Sequence, residues 1–380
     1  METVKDKVLF EIDHKIDKLV KQIELLNYIN PINIGKQKKR FFKSKFTIEP
    51  KFKYPKVSFD TFELQRALFA LKINDIEDKV VRKLYEDIIY EYSDLVECID
   101  TIGKGKKFYY NSLRSFGSPT EKEVENAKFI LHFNNQENTE LVPTFNVNET
   151  EQKFRDYSRR YDFTYNIKHS DKLSAIAMVL NHNKTLVLNS NHFFTQNDID
   201  ILTNHEIGVH MVTTMNGLRN PLKIFSHGFP NNTETQEGLA VYAEFTSNSL
   251  NLNRIRRLAY RVLAVDSLSK GYRFSQTFRL LLNYGMKKND AFTVSVRVHR
   301  GGGFTKDYLY LSGLKKIYDY HSKGGDLSTL LTGKVTLEYK NSIDYLIDKG
   351  CALPSKYITD SFAENNNTDP TIAFILENLK

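Results

Sequence analysis

A chain of 380 residues is long enough to bury a large core, and a hydrophobic content of 41% is ordinary for a globular protein. Its two cysteines, Cys98 and Cys351, sit far apart and in no paired-thiol spacing, which argues against a disulfide framework and against a thiolate metal site. The first twenty residues carry charges every two or three positions and no later stretch approaches about 18 apolar residues, so the expectation is a cytoplasmic protein with no membrane partner.

Residues 5 to 29 repeat Val8, Leu9, Ile12, Ile16, Leu19, Val20, Ile23 and Leu26 at helical spacing and stop at Asn30-Pro31, so 1–34 reads as an N-terminal amphipathic helix. GKQKKRFFKSKF (35 to 46) holds six Lys or Arg and no acid, and carries much of the net charge of +8. It reads as a basic linker, 35–47, whose Phe41, Phe42 and Phe46 serve base stacking or, more cheaply, docking. After the extended KFKYPKVSF, residues 60 to 100 read as two helices broken near Asn74-Asp75, and 120 to 162 as further helix with an Asn-rich interruption at 134 to 139. FTYNIKH (163 to 169) and SAIAMVLNHNKTLVLN (174 to 189) are β-like, the second a hairpin turning at His182-Asn183-Lys184. From Thr195 onward helices dominate, with ENNNTDP (364 to 370) read as a loop. The fold class expected is α+β, mostly helical, with a small sheet.

The helix opening at Thr195, with Asp198 completing a capping signal, and ending at Gly217 contains His205-Glu206-Ile207-Gly208-Val209-His210. Two imidazoles flanking a glutamate on one helix offer two neutral nitrogen ligands to zinc and set a carboxylate beside the water that the metal would hold. This HExxxH spacing is one residue longer than the usual one. On a regular α-helix four residues separate side chains by about 40°, whereas five separate them by about 140°, too far for one tetrahedral ion. A π-type turn of roughly 4.4 residues returns the pair to one face, and Gly208 lowers its steric cost. The spacing therefore predicts a π distortion between His205 and His210.

A third ligand is expected from the next helix, NNTETQEGLAVYAEF (231 to 245), opened by Pro230 and a Thr233-x-x-Gln236 capping box. It offers Glu234, Glu237 and Glu244. Glu237 and Glu244 lie seven residues apart on one face, so spacing does not choose between them, and Glu244 is also suited to accept a histidine N–H.

HEIGVH and TQEGLAVYAEF, with KFKYP (51 to 55), FYYNSLRSFGSP (108 to 119), RVHRGGGFTKDYLYLSGL (297 to 314) and GKVTLEY (333 to 339), occur in an order that resembles the family of the microtubule-associated tyrosine carboxypeptidases and its bacterial relatives, the flavohemoglobin expression-modulating QEGLA-motif proteins. The likeness covers about residues 48 to 355. It implies a gluzincin-like zinc peptidase in 48–380, with one Zn2+ per chain held by His205, His210 and Glu237, the glutamate of the QEGLA match, and with Glu206 as general base. It also implies removal of a C-terminal residue, tyrosine or another aromatic, from a peptide or protein tail. The positive net charge would suit an acidic tail.

Such an enzyme needs an oxyanion donor and a cation for the terminal carboxylate, for which the arginine fork is best shaped. Arg297, His299, Arg300, Lys306 and Tyr310 are the candidates, although arginines before three glycines also serve as helix caps. His227, in the loop between the ligand helices, is a weaker one. The strand around Ala175 to Val179 offers an edge to an extended peptide. Competing readings are a non-catalytic regulator using its basic arm on nucleic acid or a partner, disfavoured by the complete ligand-and-base set, and a zinc endopeptidase or aminopeptidase.

Overall fold

A computed structural model describes residues 4–133, 142–171, 175–180 and 183–380. The expected Asn-rich interruption and His182 of the expected turn lie outside them. The N-terminal segment forms two helices rather than one, α1 (Val4–Val20) and α2 (Leu25–Ile29). In a continuous helix Leu25 would point about 180° away from Ile16. The break between them turns Leu25 and Ile29 inward to join Ile16 and Val20 in the core.

The basic segment is helical as well: α3 (Ile34–Lys43) is strongly amphipathic. Phe41 is fully buried and meets Phe274 and Phe278 edge-on at 5.1 and 5.0 Å, while Lys36, Lys39, Arg40 and Lys43 face solvent. The phenylalanines dock the segment, as their interleaving with charge favours.

Asp13 on α1 is buried and accepts hydrogen bonds from Lys223 N at 2.6 Å, Ile224 N at 3.2 Å and Tyr85 Oη at 2.9 Å. One turn on, Asp17 Oδ1 pairs with His227 Nε2 at 2.6 Å. Replacing Asp13 with Ala strands these donors, and the expected loss is about 2 kcal/mol of unfolding free energy, read from the urea midpoint. An unshifted midpoint would show that water satisfies the donors equally well.

The helical layer continues through α4 (Thr61–Phe69), a 3-10 turn at Ile73–Asp75 where the break was expected, α5 (Lys79–Thr101), α6 (Lys106–Phe116), α7 (Glu121–His132) and α8 (Val147–Arg159). Then come β1 (Asn166–Ser170), β2 (Ala177–Leu180) and β3 (Thr185–Asn189) in the order β1-β3-β2. β2 and β3 are the antiparallel pair expected, Ala177 opposite Leu188, and β1 joins the other side of β3 in parallel, Ile167 opposite Leu186. Central β3 is buried from Thr185 to Leu188, which is why its apolar run does not alternate.

The remainder is helical: α9 (Gln196–Leu202), a π-helix (Thr203–Met211), α10 (Val212–Arg219), α11 (Ile224–His227), α12 (Asn232–Thr246), α13 (Leu252–Ser269), α14 (Phe274–Asn283), α15 (Lys288–His299), α16 (Leu309–Ser322), α17 (Lys340–Asp348) and α18 (Pro370–Glu377). The chain is α+β with helix in excess. Its π-helix lies on the seam of two hydrophobic cores: Ile207 and Met211 pack with Phe154, Leu186 and Leu188 beside the sheet, and Val209 packs into the larger helical core. No helix of the described residues is long and apolar enough to cross a membrane.

Candidate metal centre

Thr195 caps α9 through the Asp198 backbone N–H, and Asp198 returns the bond to Thr195 N at 2.9 Å. The helix then widens to π winding over Thr203–Met211, more than the single bulge that two histidines five apart require. The rings of His205 and His210 stand 4.9 Å apart at 80°. The helix runs on past Gly217 to Arg219. A side chain at Gly217 would meet Phe225 O at 2.5 Å, so this glycine permits a close approach instead of ending the helix.

Opposite lies α12, which begins at Asn232 after Asn231 in a left-handed conformation (φ 56°), not with the expected Thr233–Gln236 box. Gln236 has other work. Its Oε1 accepts from Thr213 Oγ1 at 2.9 Å and its Nε2 donates to Gly333 O at 3.3 Å, tying α10, α12 and the 333–335 segment together. The next residue, Glu237, faces both histidines, with Oε2 at 3.6 Å from His205 Nε2 and 3.6 Å from His210 Nε2. At that distance neither contact is a hydrogen bond. Oε2 is buried without a hydrogen-bond partner among the described residues, while Oε1 accepts from Lys306 Nζ at 2.7 Å. Three donor atoms, one from each residue, lie within 4.8 Å of one another.

Glu244 holds the far side of His205, accepting from Nδ1 at 2.8 Å, and is itself gripped by Arg254 through Nε at 2.9 Å and Nη2 at 2.7 Å. Burial opposes charge on every one of these groups, yet for Glu237, Glu244 and His205 the local charges decide. Lys306 and the two imidazoles hold Glu237 well below the usual carboxylate range, and Arg254 holds Glu244 down to about 2. Against burial, Glu237 and Glu244 together push His205 up to about 9, whereas burial keeps His210 below its ordinary value. The carboxylates therefore draw positive charge to this spot. The residues fit a small divalent metal. Tetrahedral zinc with bonds of about 2.0–2.1 Å would space its ligand atoms about 3.3 Å apart, close to what Glu237 and the histidines present.

Of the substrate candidates, Lys306 and Tyr310 stand at this centre; the Tyr310 ring lies 6.4 Å from that of His205 at 13°. Arg297 is one step back, its fork closed on Asp307 at 2.5 and 2.8 Å. Arg300 is buried, donates to Asn30 Oδ1 at 2.5 Å and lies over Phe304. His299 points elsewhere, to Thr277 Oγ1 at 2.8 Å, and burial pushes it down to about 4. His227 is bound to Asp17 as described. Glu206, next to His205, is partly exposed. Sequence reasoning missed Arg254 and Arg261, whose seven-residue spacing on α13 was the available signal, and Lys334. Lys334 donates to His210 O at 2.9 Å and Thr213 Oγ1 at 2.9 Å, and burial drives it down to about 7.

Fold and site together define a mostly helical α+β protein with a two-histidine, one-glutamate donor set, buried at His205 and Glu237 and half-buried at His210. The family model described as microtubule-associated tyrosine carboxypeptidase matches residues 39–380, and the chain belongs to that family. A relative from Mus musculus, named "Putative tyrosine carboxypeptidase MATCAP2", is 24% identical over 331 residues, covering 84% of this chain. The chain spans 55% of the length of that relative.

Proposed function

We propose that the chain is a zinc carboxypeptidase of gluzincin-like type that removes a C-terminal residue, tyrosine or another aromatic, from an acidic peptide or protein tail. The observation that carries the reading is the unpartnered Glu237 Oε2, buried and aimed between two imidazole nitrogens at 3.6 Å. His205, His210 and Glu237 would hold one Zn2+, with Glu244 and Arg254 fixing the ring of His205. A zinc ion bound there supplies Lewis-acid polarisation of the scissile carbonyl and acidifies a water towards neutral pH.

The protein does the rest. Glu206 takes the proton of the attacking water and returns it to the leaving amine. Tyr310, whose ring lies beside that of His205, would donate to the developing oxyanion. Lys306 keeps Glu237 ionised, and the surplus of cations around Tyr310 attracts acidic substrate. Family membership supports the reaction class, and the place of β2 at the edge of the described sheet, beside the π-helix, supports an extended peptide as substrate.

The test combines elemental analysis of the purified chain with mass spectrometry of peptides ending in tyrosine. One zinc per chain and loss of a single terminal residue are expected. A metal-free protein that cleaves nothing would sink the reading, and cleavage of amide-blocked peptides at internal bonds would replace it with an endopeptidase.

A further inference from the structure

Arg254, Arg261, Arg297, Arg300 and Lys306 gather near the Tyr310 phenol, whose ring lies 6.4 Å from that of His205. Four of the five have partners. Arg254 is closed on Glu244, Arg297 on Asp307, Lys306 on Glu237, and Arg300 reaches Asn30 from a buried position. Arg261 is left. Its guanidinium stacks over the Tyr310 ring at 4.8 Å and, among the described residues, donates no hydrogen bond to any acceptor. The Arg261 side chain is partly buried and keeps some accessible surface. Burial and the neighbouring Arg297 push it down to about 10.

A partly buried cation with no acceptor gains when an anion reaches it, and five N–H donors in a planar fork match a carboxylate. Position agrees with chemistry. Arg261 and His205 both lie against the Tyr310 ring, at 4.8 and 6.4 Å from its centre, so the free fork and the candidate metal ligand share one aromatic neighbour. In a bound peptide the terminal carboxylate lies one residue beyond the scissile carbonyl, a step of about 3.8 Å between successive Cα atoms.

We propose that Arg261, stacked on Tyr310 and unpaired, receives the terminal carboxylate of the substrate and so restricts the site to C-terminal residues. The proposal rests on the carboxypeptidase reading and adds the residue that enforces it. An acidic side chain carries the same chemistry as a terminus, and the amide control below separates the two.

The full chain carrying Glu206→Gln, which stops turnover, is titrated calorimetrically with an acidic peptide ending in tyrosine and with its C-terminal amide. The free acid is expected to bind about 10- to 100-fold more tightly. Adding Arg261→Met should weaken the acid alone until the two affinities meet, and Arg261→Lys should restore part of the gap. A loss of general structure would not discriminate acid from amide, and if the methionine variant fails to fold, the lysine variant carries the comparison by a reduced gap. A full preference surviving at position 261 overturns the proposal and leaves the carboxypeptidase reading intact. Absence of any preference in the Glu206→Gln chain overturns both.

Discussion

Glu206→Gln is expected to leave zinc content and melting temperature unchanged while turnover falls by about 10²- to 10⁴-fold, the range for losing a positioned general base. The residue follows His205 on the π-helix and is partly exposed. No hydrogen bond of the described residues depends on it, so the isosteric amide has no structural work to disturb. His205→Ala gives the contrast: it should lose zinc together with activity, because it removes a donor and leaves Glu244 with Arg254 alone. Release of tyrosine followed by mass spectrometry, with metal counted in the same samples, decides the matter. A Glu206→Gln protein that retains turnover within about tenfold would show that another group moves the proton.

Gly238→Ala is expected to destabilise the fold by about 3 kcal/mol, although in an exposed helix the same change would be stabilising. α12 and α16 touch backbone to backbone at this point. A Cβ on Gly238 would lie 2.4 Å from Gly313 C and O, and one on Gly313 would lie 2.1 Å from Glu234 O. Neither contact ends in a flexible side chain that can step aside. Gln236 pins α12 on its other side, so the helices must part, and Glu237 moves with them. Metal content should therefore fall in step with the urea midpoint. An alanine protein of full stability and full zinc would mean that α16 can shift without cost.

The π winding was legible because it answers a question that sequence poses unaided: two histidines five apart share a face on no other common helix. The β2–β3 pair was legible from the run of Thr185 to Leu188. What escaped depends on contacts distant in sequence. Leu25 leaves the phase set by Ile16 because the core beneath it requires a turn, and periodicity alone extends the helix straight through. Gly217 resembles a helix stop, but it serves the close passage of Phe225. Thr233 and Gln236 have the spacing of a cap, yet Gln236 is taken by Thr213 across the fold. Among the arginines, Arg297 and Arg300 stood out beside three glycines, while Arg261 sat among four arginines of an ordinary amphipathic helix. Which one is free depends on where Asp307, Glu244 and Asn30 come to lie, and no local pattern reports that.

The clasp of α1 on α11 joins residues 210 positions apart, and Asn30 meets Arg300 across 270. On a ribosome α1 therefore emerges well before α11, with the earlier α4 and Tyr85 of α5 there to pack against it until α11 is made. Contacts of such separation close late because loop entropy has to be met before they contribute. Docking of the segment between the histidine- and glutamate-bearing helices onto α1 thereby waits until Lys223 and His227 have been made, and a chain that stops short of them leaves Asp13 and Asp17 without that clasp.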